Sequence, residues 1–258
     1  MPEGDTIHRA AERIRSALGG RTMERVETPQ ARHGKDRWPE RLTGRELRVV
    51  DAHGKNLFLR FAGGWTLHSH LRMSGSWSVQ REGMAARRPR GRAWLILAAG
   101  GWEAIQFGGP VLELMRDSRA RTDPRLAGLG PDVIGKDFDE GVFLRRLRED
   151  DPTRPIGDAL LDQHTIAGIG NMWKAESFFA AGVDPWRPTA EVPDEQALAV
   201  VGFARERMAR SVREGNEARP HAVYRQAGRP CPRCGAKILQ RGQWENNRVT
   251  FWCPTCQI

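Results

Sequence analysis

The sequence predicts a multi-domain α+β protein: an antiparallel β-sandwich or barrel, then a run of helices, then a small cysteine-bearing module. Three observations predict it. Two glycine-turned hairpins, at Gly63-Gly64 and Gly100-Gly101, fall within about sixty residues of chain. After Leu129-Gly-Pro-Asp the alternating texture gives way to apolar residues at helical spacing. All four cysteines lie at or beyond Cys231. At 258 residues the chain exceeds one typical domain. The expected divisions are 1–130, 131–224 and 225–258.

In chain order, Asp5 or Thr6 caps a first helix whose buried face is Ile7, Ala11, Ile14 and Leu18, and Gly19-Gly20 ends it. Leu47-Arg-Val-Val reads as a strand and Ala52-His-Gly-Lys55 as a turn. Leu57, Leu59 and Phe61 then alternate up to the turn at Gly63-Gly64, and Trp65 to His70 returns. Trp94 to Leu97 and Trp102 to Phe107 repeat the pattern around Gly100-Gly101. The Arg-rich stretch from Arg81 to Arg92 is a loop. Helices are expected over Asp139–Asp150, over Pro155–Gln163 with Pro at the start, and over Met172–Ala181 before Gly182. A fourth carries the stripe Leu198, Val201, Ala204, Met208 and Val212. The turn from His164 to Asn171 is spaced by glycines.

Charge narrows the partner. The net charge is +9 and the isoelectric point about 10.2. A chain this basic usually meets a polyanion, nucleic acid first, although an excess of 36 Arg over 5 Lys also follows from a GC-rich genome. No apolar run approaches the roughly 18 residues of a membrane span, and the charged start MPEGDTIHRAAERIRSAL lacks the apolar core of a signal peptide. A cytoplasmic protein is expected.

Cys231-Pro-Arg-Cys234 and Cys253-Pro-Thr-Cys256 are two CxxC pairs separated by 18 residues. Each pair is a tight knuckle aiming two thiolates at one ion, and two knuckles complete a tetrahedron. One structural Zn²⁺ is expected, because four thiolates leave no open position. In a reducing compartment two disulfides are the weaker alternative. Between the pairs, Trp244 to Trp252 reads as a two-stranded ribbon with Asn246-Asn247 at its tip and Arg248 beside it.

Pro2 follows Met1, so removal of the initiator exposes a secondary amine. An α-amino group titrates near pH ~8, well below lysine, and is a serviceable nucleophile at neutral pH. Glu3 is then the adjacent proton-transfer group. Met-Pro starts are also common without function.

Taken together, these signals have a known order. Met1-Pro-Glu-Gly-Asp-Thr-Ile, His53-Gly-Lys55, His68-Ser-His-Leu-Arg-Met-Ser-Gly75, Leu161-Asp-Gln through Gly168-Ile-Gly-Asn171, and the cysteine pairs with Asn247-Arg248-Val-Thr-Phe-Trp run the length of the chain. This succession resembles the formamidopyrimidine-DNA glycosylase / endonuclease VIII family. The resemblance implies an N-terminal β-sandwich with a flanking helix, a helix–two-turn–helix domain and a zinc ribbon, with DNA between the lobes. It implies a monomeric base-excision-repair glycosylase with AP lyase activity. By the same resemblance Pro2 is the nucleophile, Glu3 the proton donor, and Lys55 a phosphate contact that assists the chemistry. Asn171 and Arg248 bind the phosphates flanking the lesion, and Arg248 is also counted with the catalytic set. Met73, with Arg72 beside it, fills the gap left by the flipped base. Glu176 matches an acid near the lesion pocket. Glycines 168 and 170 are read as admitting a phosphate close to the backbone, and Asn171 as a helix cap as well. The implied partner is damaged duplex DNA, with single-stranded or bubble DNA as a variant.

Three departures from the 8-oxoguanine branch point to oxidised pyrimidines. Thr6 stands where that branch has Glu. Gln106-Phe-Gly-Gly-Pro-Val-Leu-Glu lacks its Arg-Phe pair. The connection from Arg213 to His221 is short. The alternatives are a glycosylase preferring 8-oxoguanine or formamidopyrimidine, a catalytically silent protein binding damaged DNA, and an unrelated zinc-ribbon nucleic-acid factor.

Overall fold

The computed structural model describes residues 2–30, 33, 36–85, 88–215, 221–243 and 248–258. The described residues cluster into two compact units: Pro2 with Thr6–Ala127, and Glu3–Asp5 with Gly128–Ile258.

The first unit holds most of helix α1 (Gly4–Leu18), strand β1 (Arg25–Glu27), helix α2 (Trp38–Leu42) and seven further strands. These are β2 (Leu47–His53), β3 (Asn56–Phe61), β4 (Trp65–His70), β5 (Ser76–Arg81), β6 (Leu95–Ala99), β7 (Trp102–Phe107) and β8 (Val111–Arg116). They form two four-stranded antiparallel sheets, ordered β1-β6-β7-β5 and β2-β3-β4-β8. The open choice between sandwich and barrel is thereby settled for two separate sheets. Each expected hairpin belongs to a different sheet. Ala99 pairs with Trp102 across Gly100-Gly101, both at positive φ (57° and 72°), the geometry that matches strand twist and favours glycine. Leu47, Leu57, Leu59 and Leu67 of one sheet pack with Val79, Leu95, Leu97 and Ala104 of the other, and with Ile7, Ile14 and Leu18 of α1. The stripe read from α1 is therefore its buried face. Its start differs: the helix opens at Gly4, and Asp5, instead of capping it, accepts the Ser211 hydroxyl at 2.6 Å. Two short helices close the unit, α3 (Asp117–Thr122) and α4 (Pro124–Ala127).

The second unit contains α5 (Glu140–Glu149), α6 (Ile156–Ala159), α7 (Asn171–Ala181), α8 (Asp194–Glu214) and the ribbon strands β9 (Leu239–Gln243) and β10 (Arg248–Trp252). Phe143, Leu147, Ile156, Trp173, Phe178, Val201, Ala204 and Met208 make its core. Asp139 caps α5 by accepting the Val142 N–H at 2.9 Å. The helix expected through Gln163 stops at Ala159, because polar side chains take over the backbone groups beyond it. Asp162 accepts the His164 N–H, and Gln163 accepts the Gly168 N–H while donating to Leu161 and Ile169 carbonyls. In α8, Leu198 is only half-buried, and Ala197 and Val200 share the buried face instead. The ribbon's first strand begins earlier than expected, at Leu239. Trp244 and the Asn246-Asn247 tip lie outside the described residues, as do Met1 and most of the short connection before His221. Among the described residues, no helix is long and apolar enough to cross a membrane.

Candidate active site and nucleic-acid interface

The first turn of α7 is built around the N-terminal peptide. Glu3 is wholly buried, and its carboxylate accepts the N–H groups of Gly170 (3.0 Å), Met172 (2.9 Å) and Trp173 (3.3 Å). These are the amides that a helix start leaves without partners, and the helix dipole favours an anion there. Gly4 N–H donates to the Gly168 carbonyl at 2.9 Å. A Cβ on Gly170 would fall 2.3 Å from the Glu3 carboxyl carbon, and Gly168 sits at φ 108°. Gly170 thus makes room for the Glu3 side chain, and the Gly168 carbonyl receives the Gly4 N–H.

Asn171 opens α7, but Gly170 is the residue before it and no side-chain cap bond forms there. The Asn171 amide instead donates to the Val249 carbonyl of β10 at 2.8 Å, so the cap reading is replaced by a tie to the ribbon. One residue before Val249 stands the exposed Arg248. Asn171 and Arg248 are therefore brought to the same junction. Glu176 lies five residues further along α7. It is buried, and its carboxylate accepts the N–H groups of Ala222, Val223 and Tyr224 at 2.8–3.0 Å. With both oxygens accepting backbone amides, it organises that segment.

Sequence reasoning missed Lys174, one turn after Asn171. Its ammonium is fully buried and donates to Gln243 Oε1 at 3.1 Å and to the Thr250 hydroxyl. Burial pushes it down to about 7, opposed by Asp158 and Glu3 and reinforced by Arg248. The available signal was a lysine beside Met172, Trp173 and Ala175 on a helix that carries Phe178 and Phe179.

In the first unit, Lys55 occupies the two-residue turn between β2 and β3 and is half-buried. The next residue, Asn56, pairs its Oδ1 with His68 Nε2 at 2.9 Å, and the His68 ring stacks on Phe58 at 5.1 Å. This pair, also unforeseen, fastens the base of the lysine turn. Burial lowers His68 to about 4, with Glu113 opposing it. Burial lowers His70 to about 4 as well, with Arg72 and Lys55 adding to the effect. Both histidines ordinarily titrate at 6.5. The unfolded chain therefore takes up these protons first, and stability present above pH ~6.5 is lost as pH falls towards ~4. Denaturant midpoints measured from pH 7 to 4 should decline over that window, and His68→Gln should flatten the decline. An identical slope in the variant would assign it elsewhere.

Arg72 and Met73 lie in the turn after β4, not on the strand itself. The Gly75 N–H closes that turn on the Leu71 carbonyl at 3.0 Å. Arg72 adopts φ 50°, a left-handed conformation that costs an L-residue about 1 kcal/mol. Met73 is 62% exposed, which excludes the core role usual for a methionine.

The four cysteine sulfurs lie within 4.8 Å of one another, with Cys231 to Cys256 at 3.8 Å and Cys234 to Cys253 at 3.5 Å. Sulfurs at 2.3 Å from a tetrahedral Zn²⁺ stand roughly 3.8 Å apart, so Cys231, Cys234, Cys253 and Cys256 fit one structural zinc. Phe251 and Cys253 pack with Ala175 and Phe179 of α7, which ties the metal site to the helix bearing Asn171.

Comparison with known proteins agrees from end to end. Residues 1–105 match the formamidopyrimidine-DNA glycosylase N-terminal domain, residues 129–220 its H2TH domain, and residues 228–258 a zinc finger found in FPG and IleRS. The chain is 40% identical to the probable endonuclease 8 2 of Streptomyces coelicolor, over all of this chain and 94% of that one. It is 35% identical to a DNA-(apurinic or apyrimidinic site) lyase, Nei2, of Mycolicibacterium smegmatis, over 100% and 99%. It is 31% identical to the formamidopyrimidine-DNA glycosylase of Thermus thermophilus, over 100% and 98%. The fold matches that of Lactococcus lactis Fpg, solved with DNA containing an abasic site, with a TM-score of 0.82, 22% identity and 99% coverage of each chain. With three consecutive domain matches and full-length relatives, the chain belongs to the formamidopyrimidine-DNA glycosylase / endonuclease 8 family.

Proposed function

We propose that the protein is a base-excision-repair DNA glycosylase with AP lyase activity. The observation carrying this reading is the locking of Glu3, by three amide bonds, into the start of α7. So deep an attachment of the residue after Pro2 fits a chain whose N-terminus does chemistry. With Met1 removed, the Pro2 nitrogen attacks C1′ of the damaged nucleotide and gives up its proton, and the base leaves with its bonding electron pair and a proton; the C1′–O4′ bond then breaks, O4′ takes the bonding pair and a proton, and the nitrogen lone pair closes the C1′=N⁺ bond. The resulting iminium withdraws electrons from C2′. Loss of a C2′ proton then expels the 3′ phosphate by β-elimination, and a second elimination removes the sugar. Glu3 relays protons in these steps. Lys55 contacts a phosphate and assists the chemistry. Asn171 and Arg248 hold the flanking phosphates, Arg248 with catalytic effect, and exposed Met73 with Arg72 occupies the gap in the duplex. Glu176 supports the interface through the segment it holds. The zinc, when bound, supplies only rigidity to the ribbon.

The favoured substrates are oxidised pyrimidines in duplex DNA, supported by Thr6, the Gln106–Glu113 stretch and the short connection after Arg213. The protein acts as a monomer, in the reducing cytoplasm where the chromosome and thiolate zinc sites coexist. A cleavage panel tests this: thymine glycol and dihydrouracil should be cut faster than 8-oxoguanine. The reverse order would move the protein to the purine-specific branch.

A further inference from the structure

A buried lysine is an expensive choice for a helix interior, because its ammonium loses its water. Among the described residues, the hydrogen-bond partners of Lys174 are neutral oxygens. Those partners are already joined, since the Thr250 hydroxyl bonds Gln243 Oε1 and the Gln243 amide donates to the Pro185 carbonyl at 2.9 Å. The lysine is thus not required to satisfy them. What it adds is a bond from α7 to each ribbon strand at once, through Gln243 of β9 and Thr250 of β10. One turn earlier on α7, Asn171 grips β10 at Val249. Arg248 is the first residue of that strand. Charges facing the ammonium come from α6 (Asp158), from the N-terminal peptide (Glu3) and from β10 (Arg248).

We propose that Lys174 is a positioning residue of the phosphate site: it fixes β10 against the first turn of α7, so that Arg248 and Asn171 act as one clamp, and it places a positive charge beneath the bound phosphate. This rests on the phosphate role given above to Asn171 and Arg248. The clamp and the lysine are linked in both directions. A phosphate at Arg248 offsets that residue's repulsion of the ammonium, so binding DNA favours the protonated lysine.

The test compares wild type, Lys174→Met, Lys174→Arg and Arg248→Ala. Each is titrated with a duplex carrying a tetrahydrofuran abasic analogue, across salt concentration and from pH 6.5 to 9. Zinc content and melting are followed in parallel. Lys174→Met is expected to keep zinc, to bind roughly tenfold more weakly, and to show a salt slope reduced by up to about one phosphate contact. Its affinity should also fall less than wild type's as pH rises, and Lys174→Arg should restore the salt slope. Wild-type affinity, salt slope and pH profile in Lys174→Met would overturn the proposal. If Lys174→Met loses zinc, Thr250→Val decides, since it keeps the lysine but removes one tie. Several-fold weaker binding with zinc retained supports the proposal, and unchanged binding overturns it. Wild-type binding by Arg248→Ala would instead refute the phosphate role itself.

Discussion

A variant that retains a residue ahead of Pro2 is expected to lose strand cleavage and borohydride trapping on abasic DNA by roughly 10³-fold or more, the scale of removing a covalent step. The reason lies in one nitrogen. As a free terminus, Pro2 has an amine lone pair, and α-amino groups as a class lose their proton more readily than lysine. In an Xaa-Pro bond the same lone pair is delocalised into a carbonyl and cannot form an iminium. Glu3 remains bound to the Gly170, Met172 and Trp173 amides in either form. Binding to a tetrahydrofuran duplex should therefore persist while chemistry disappears. Mass spectrometry of the reduced adduct should place the crosslink on Pro2, and a crosslink on any lysine would refute the mechanism.

Replacement of Cys234 by Ser is the second change with a large expected effect. A structural four-thiolate zinc contributes on the order of 10 kcal/mol to folding of its module, far more than the small ribbon core supplies. That core is Phe251, Ile238 and Val223 packed on Ala175 and Phe179. Loss of one ligand should release the metal, free β10 from its register with β9, and weaken DNA binding by roughly 100-fold, since Arg248 and the Val249 carbonyl bound by Asn171 both lie on that strand. The sandwich has its own core around Leu57, Leu67, Leu95 and Ile14. It should stay folded, with its tryptophan signal and proteolytic resistance intact. A chromophoric chelator reports the metal and limited proteolysis the unit that yields. Collapse of both units together would show that they do not fold independently.

Much of this molecule is legible in local pattern. The ligand spacing of Cys231, Cys234, Cys253 and Cys256 specified the metal, because a knuckle geometry is set within four residues. The paired glycines specified both hairpins, because a turn with two positive φ angles excludes most side chains. The stripe on α1 predicted its buried face, because helical periodicity is intrinsic to the chain. The role proposed for Pro2 needs only local information, because it depends on initiator removal exposing one amine.

Tertiary structure decided the rest. Whether Met73 packs or protrudes depended on the turn at Leu71–Gly75, and the end of α6 depended on where Asp162 and Gln163 found partners. Glu3 and Gly170 are separated by 167 positions, and Lys174 and Thr250 by 76. No local periodicity relates such residues. Each is an ordinary acid, glycine, lysine or threonine until folding removes water from around it and leaves one partner within reach, and that exclusion of solvent is what turns a residue type into a role.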